Sequence, residues 1–318
     1  MHSHWIFWVG FNVFVLAMLA LDLGVVHRRK RVLGFREALA WTAIWIGLAA
    51  SFALLLYWFG HGIVGSARPN AQLSLEFITG YVIEQSLSVD NLFVFLLVFR
   101  YFNVPREFQH EVLFWGVLGA LAMRLVFIVT GVALLDRFHW ITYVFGAILI
   151  YSGIRLLRRH GASVHPEKNP LLRAFRKVFN VTDDYAGGKF FVRRDGMRFA
   201  TPLALVLILL ETTDVLFAVD SIPAVLAVTR EPFIVYTSNV FAILGLRSLF
   251  FVIAGLIEKF RFLHYGLSVI LIFVGAKMLV SDYVEVPTVV ALGTVAAILL
   301  ASVVLSLLLP KRTGATDP

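Results

Sequence analysis

No cysteine occurs among the 318 residues, which excludes disulfides, thiolate metal sites and thiol redox chemistry. Charge is scarce too: only 15% of residues are Asp, Glu, Lys or Arg, against about 25% in a soluble domain. Methionine is sparse and none of the nine histidines falls in the middle of an apolar run, which argues against a Cu(I) or tight Zn²⁺ site. There is no HExxH for metalloprotease chemistry, no phosphate-binding loop, and no Gly-Asp dipeptide of the intramembrane aspartyl protease kind. These absences argue against an enzyme.

What fills the chain is hydrocarbon. Hydrophobic residues make up 59% and aromatic residues 14%, with a mean hydropathy of +0.84. The length alone would suit about two soluble domains, but this hydropathy points to one all-α polytopic domain whose partner is the lipid bilayer. The net charge of +8 lies in the loops, where it sets topology and is not a nucleic-acid surface.

A spanning helix needs about 20 mostly apolar residues. Nine stretches are expected to span: His4–Val26, Ala38–Phe59, Leu75–Phe99, Val112–Leu135, Trp140–Leu157, Pro202–Val228, Phe233–Ile257, His264–Val280 and Pro287–Leu309. Placing the loop at His27–Glu37 in the cytoplasm and alternating puts 22 Lys and Arg on that side and three (Arg68, Arg137, Arg230) on the other. By the positive-inside rule the N-terminus is outside and the C-terminus cytoplasmic. The one long loop, about Arg158 to Thr201, is basic and reads as a solvated connector. Within it, LLRAFRKVF (Leu171 to Phe179) has the spacing of an amphipathic helix able to touch anionic lipid. GGKFFVRRDGMRF reads as a short glycine-bounded hairpin.

Against this apolar background stand six carboxylates: Asp22, Glu84, Asp90, Glu211, Asp214 and Asp220. An acid at mid-bilayer costs roughly 2.5–3.5 kcal/mol on insertion scales, so such residues face a cavity, a partner or an ion path. Two lie in EQSLSVDN (Glu84 to Asn91) and three in ETTDVLFAVDSIP (Glu211 to Pro223). Aligning the motifs puts Asp90-Asn91 on Asp220-Ser221 and Glu84 on Asp214; further on, Arg124 falls on Arg247 and Gly153 on Gly275. The chain thus divides into two leading helices (1–73), a three-helix repeat (74–159), the basic loop (160–200), a second repeat (201–281) and a last helix with a tail (282–318). Three helices per copy is odd, so the copies are inverted, with a site expected at their midplane interface.

The ligands on offer are oxygens: the carboxylates, Asn91, Ser221, Asn239, Gln85, Thr212 and backbone carbonyls. Such a set suits Mg²⁺, Ca²⁺ or Mn²⁺. Carboxyl groups whose protonation is favoured by burial and like charge would also allow proton exchange. On a regular helix Glu84 and Asp90 point about 120° apart, so one straight helix cannot aim all its acids at one ion. Pro223, which removes an amide and clashes with the Val219 carbonyl, is expected to kink or unwind the helix beside Asp220. Arg124 and Arg247 read as structural ties or gates, Lys277 as snorkelling outward, and Asp22 as interfacial or part of the path.

EQSLSVDNLFVFLLVF and LETTDVLFAVDSIPAVLAVT, with DDYAGGKFFVRRDG and ATPL between them, resemble the TerC family, and its Alx-type members most closely. The resemblance covers nearly the whole chain. It implies an inner-membrane protein of a family first named for tellurite resistance, whose Alx-type members are associated with manganese export, while other relatives are associated with membrane-protein assembly. The family's intramembrane acidic positions fall here on Glu84, Asp90, Glu211, Asp214 and Asp220. The resemblance implies Mn²⁺ as cargo, with no permanently bound cofactor.

Overall fold

A computed structural model describes residues 4–27, 34–158, 169–194, 196–256, 262–284 and 286–308. The helices are α1 (His4–His27), α2 (Phe35–Val64), α3 (Asn70–Tyr101), α4 (Arg106–Arg137), α5 (Ile141–Arg158), α6 (Pro170–Val178), α7 (Pro202–Leu226), α8 (Pro232–Leu244), α9 (Leu246–Leu256), α10 (Leu263–Leu279) and α11 (Thr288–Leu308). Prolines punctuate them where a missing amide does no harm: Pro170, Pro202 and Pro232 open helices, and Pro69 and Pro105 precede them. Gly65 ends α2 in the left-handed conformation (φ 72°), returning its amide to the His61 carbonyl.

Among the described residues six helices are long and apolar enough to cross a membrane: α2, α3, α4, α5, α7 and α11. The pair α8 and α9 adds a seventh as one bent span, while α1 (over Trp5–Leu21) and α10 are shorter apolar helices. Apolar side chains such as Trp58 (69% exposed), Val126 and Leu216 point out of the bundle, as lipid-facing residues do. Inside, an aromatic knot of Phe11, Phe52, Phe77, Phe233 and Phe241 joins α1, α2, α3 and α8, with ring centroids 5.0–6.4 Å apart.

Four turns meet at one end of the bundle. Ser66, after α2, donates to Glu231 before α8 at 2.7 Å. Tyr143 at the start of α5 donates to Asp282 after α10 at 2.5 Å, and Arg230 donates to Thr142 at 3.4 Å. At the other end the α5–α7 segment docks on the α3–α4 turn, with the Tyr185 hydroxyl donating to the Phe102 carbonyl. Helices α3 and α7 therefore run in opposite directions. So do α5 and α10, which touch through glycines: a β-carbon on Gly153 would lie 2.8 Å from the Ser268 carbonyl, and one on Gly275 2.7 Å from the Gly146 carbonyl. Small residues permit such backbone contact in membranes.

The basic loop is a folded unit and not only a solvated connector. Asn169 caps α6 by accepting from the amides of Leu171 (2.9 Å) and Leu172 (3.1 Å). The hairpin is formed by β2 (Phe191–Arg194) and β3 (Met197–Ala200), with β1 (Asn180–Val181) pairing parallel to β3. A second expectation is corrected. Helix α7 stays helical through Pro223 to Leu226, so it is not unwound beside Asp220; the proline sits in the last turn, where one lost hydrogen bond is tolerated. The break comes at Gly245, where α8 and α9 bend by 46°. Glycine is a usual cause of sharp bends.

Candidate functional site

The centre of the bundle holds an ionic cluster drawn from four helices. Arg124 of α4, 3% exposed, donates through Nη1 to the Glu84 carboxylate of α3 and, at 2.6 Å, to Asn239 Oδ1 of α8. Its Nη2 lies 3.7 Å from Asp214 Oδ1 of α7. Glu84 and Asn239 are fully buried and Asp214 is 5% exposed. Arg124 is thus the tie between the two motifs: Glu84 and Asp214, matched by the sequence alignment, meet on one guanidinium.

One turn before Asp214 on α7, Glu211 presses its carboxylate onto Gly119 of α4, filling the space a side chain there would need. Further along α7, Asp220 accepts from Ser152 Oγ of α5 at 2.6 Å, while Ser221 is buried. On α3, Asp90 is half-buried and Asn91 buried. Arg247 is buried just beyond the Gly245 bend. Asp22 lies in α1, outside the residues whose surroundings are described.

The acids do not gather into one coordination shell. Among the described residues no group of three or more His, Cys, Asp or Glu side chains is placed to hold a metal ion. Beyond the Arg124 contacts the centre holds acceptor oxygens that no donor among the described residues reaches, and Arg124 Nε likewise has no acceptor there. Glu84 Oε2, Gln85 Oε1, Glu211 Oε2 and Asp214 Oδ2 are buried with no hydrogen-bond partner among the described residues, and the Ser88 and Ser221 hydroxyls also lack one. Buried acceptors of this kind are costly unless a cation or proton satisfies them.

A further buried carboxylate lies outside the two acidic motifs. Glu76 of α3 is 1% exposed. It accepts from Arg68 at 2.9 and 2.8 Å, Gln72 at 2.9 Å and Thr229 at 2.5 Å. Glu76, Arg68 and Lys277, whose Nζ donates to the Ala227 carbonyl at 3.2 Å, line a cavity of about 770 Å³ among the four turns. One turn deeper on α3, Gly80 closes on Ser238: a β-carbon there would lie 2.9 Å from its hydroxyl. The spacing Glu76-Gly80-Glu84 keeps all three on one broad helix face, a sequence signal that could have found Glu76.

At the opposite end, burial against Phe108 and the α3–α4 turn pushes the Tyr185 hydroxyl above its ordinary pKa, so it remains a donor to Phe102.

A helical bundle with lipid-facing sides and a buried ionic centre defines an integral, multi-pass membrane protein. The chain belongs to the TerC family: the model of the "Integral membrane protein TerC family" matches residues 70–314. It is 49% identical over 311 residues to "Uncharacterized membrane protein STKORF319" of Myxococcus xanthus, covering 98% of this chain and 94% of that protein. It is 46% identical over 300 residues to "Putative membrane-bound redox modulator Alx" of Escherichia coli K12, covering 94% and 93%. A Rickettsia bellii membrane protein is 36% identical over 301 residues, covering 95% and 97%. No solved structure matches the chain.

Proposed function

We propose that this protein is a secondary transporter of the bacterial inner membrane that exports Mn²⁺ from the cytoplasm in exchange for protons. The observation that carries this reading is the set of buried, donor-free oxygens on Glu84, Glu211, Asp214 and Ser221, strung through a bundle that also holds Asp90, Asn91 and Asp220. Hard divalent cations take oxygen ligands of this kind, with Ca²⁺ and Mg²⁺ as the other members of the class. Mn²⁺ is the cargo and moves between carboxylates as Arg124 is displaced; protons occupy the same oxygens when the metal leaves.

The nine-span topology with the N-terminus outside, and the inverted repeat, are part of this reading. Two features support the repeat. Helices α3 and α7 run antiparallel, and the α5–α10 contact is self-matching: the same 122-residue offset relates Gly153 to Gly275 and Gly146 to Ser268, and Gly153 meets Ser268 as Gly275 meets Gly146. A pseudo-two-fold axis in the membrane plane produces such a pattern.

The test is cellular manganese in a strain lacking other exporters. Expression of the chain is expected to lower total manganese under manganese load. Changed survival with unchanged manganese and calcium would favour the second reading, a non-transporting scaffold for stress response or membrane-protein insertion. The folded unit at residues 169–201 is the observation on that side. The redox wording in the name of the Escherichia coli relative fits either reading only indirectly, since this chain has no thiol.

A further inference from the structure

The unit between α5 and α7 carries an apolar face that nothing in the bundle covers. Leu171 is 57% exposed, Val178 75% and Phe191 50%. Leu171, Phe175 and Val178 recur at the i, i+4, i+7 spacing of one helix face. Phe175 stacks on Phe179 at 4.8 Å, and Phe179 meets Phe191 at 5.7 Å, so the stripe runs from α6 onto the hairpin. The inner side of α6 is already used: Leu172 is 2% exposed and α6 packs against α7.

Basic side chains flank this stripe. Arg173, Arg176 and Lys177 are exposed on α6. The β2–β3 register places Arg193 and its partner Arg198 on the same face of the hairpin as Phe191. Over residues 169–201 the sequence has seven basic and three acidic residues. The height of the unit is fixed by its connections: α6 lies against α7, and β3 ends two residues before Pro202 opens that helix. The stripe therefore sits where α7 enters the bilayer.

Contiguous exposed apolar surface marks an interaction site. Apolar residues bordered by Lys and Arg at the height of the headgroups are the chemistry of an interfacial element on anionic lipid. We propose that the Leu171–Phe175–Val178–Phe191 face rests on the anionic phospholipids of the leaflet beside α7, its apolar side chains among the acyl carbons and its basic ones on the phosphates. This makes α6 and the hairpin a lipid-binding foot, independent of what the bundle transports.

The absence of cysteine makes the test direct. Val178→Cys and Leu171→Cys, each carrying an environment-sensitive fluorophore, are reconstituted as the full chain in phosphatidylcholine vesicles with or without phosphatidylglycerol, with the exposed Asp183→Cys as a water-facing control. Both probes are expected to be quenched by spin-labelled lipid and shielded from iodide when phosphatidylglycerol is present. The effect should weaken with added salt, and Arg173→Gln, Arg176→Gln and Lys177→Gln should each reduce partitioning by about fivefold. Salt dependence of the unsubstituted foot gives the answer should a charge variant fail to fold. Probes as open to iodide as the Asp183→Cys control in phosphatidylglycerol membranes would overturn the proposal, and would leave a soluble protein as the occupant of this face. Quenching by lipid that is equal in both vesicles and insensitive to salt would overturn the anionic part of it.

Discussion

Arg124 and Glu84 form an ion pair in which one partner is 3% exposed and the other fully buried. Neither can turn to water when the other is removed. Removing one member of a buried pair typically costs about 3–5 kcal/mol, because the survivor is left charged and unpaired. Glu84→Gln and Arg124→Gln are each expected to lower the thermal denaturation midpoint in detergent strongly. The double variant should recover part of that loss, and a fully additive double variant would show that the two side chains are not coupled.

Gly119 and Glu211 give a more local expectation. The Glu211 carboxylate occupies the space of the missing Gly119 side chain, so Gly119→Val must push it out of the centre. Transport is expected to fall by an order of magnitude or more, roughly the 1–3 kcal/mol of an overpacked contact, while the protein still reaches the membrane. Gly116, one turn earlier, where an added β-carbon would meet nothing within 4 Å, is the control. Gly116→Val should leave flux unchanged, and equal flux in Gly119→Val would remove Glu211 from the path.

Glu76 ties the turns before α3 and α8 together through Arg68 and Thr229. Above Gly80 and Ser238 it closes the floor of the cavity. Glu76→Gln is expected to loosen this floor, so that a thiol at Ser238→Cys reacts several-fold faster with a water-soluble maleimide. Thr142→Cys, on the cavity wall, should react at the same rate in both backgrounds. An unchanged rate at Ser238→Cys would mean that Glu76 does not close the cavity.

Much of this was legible in the sequence because membranes make polar residues conspicuous. Carboxylates in apolar runs single out Glu84, Asp90, Glu211, Asp214 and Asp220, and the aligned motifs set Glu84 against Asp214, the two that share Arg124. The hairpin was legible from its glycines and alternation, and α6 from its amphipathic spacing. Glu76 was not, because its partners Arg68 and Thr229 come from two different turns, and Thr229 is 153 residues away in sequence. Helix α7 runs on through Pro223, and the 46° bend lies at Gly245. A proline in a helix's last turn forfeits one hydrogen bond, whereas a glycine between α8 and α9 removes the side chain that would otherwise resist bending.

The account turns on whether the chain by itself moves a divalent cation through its buried acids. The direct measurement is Mn²⁺-dependent fluorescence quenching inside proteoliposomes that contain only this protein, with and without a pH gradient. The unsubstituted chain is expected to carry Mn²⁺ faster when protons can run the other way, and Asp90→Asn with Asp220→Asn should abolish the flux while the protein remains folded. Empty-liposome rates from the unsubstituted chain, or full flux from the double variant, would contradict it.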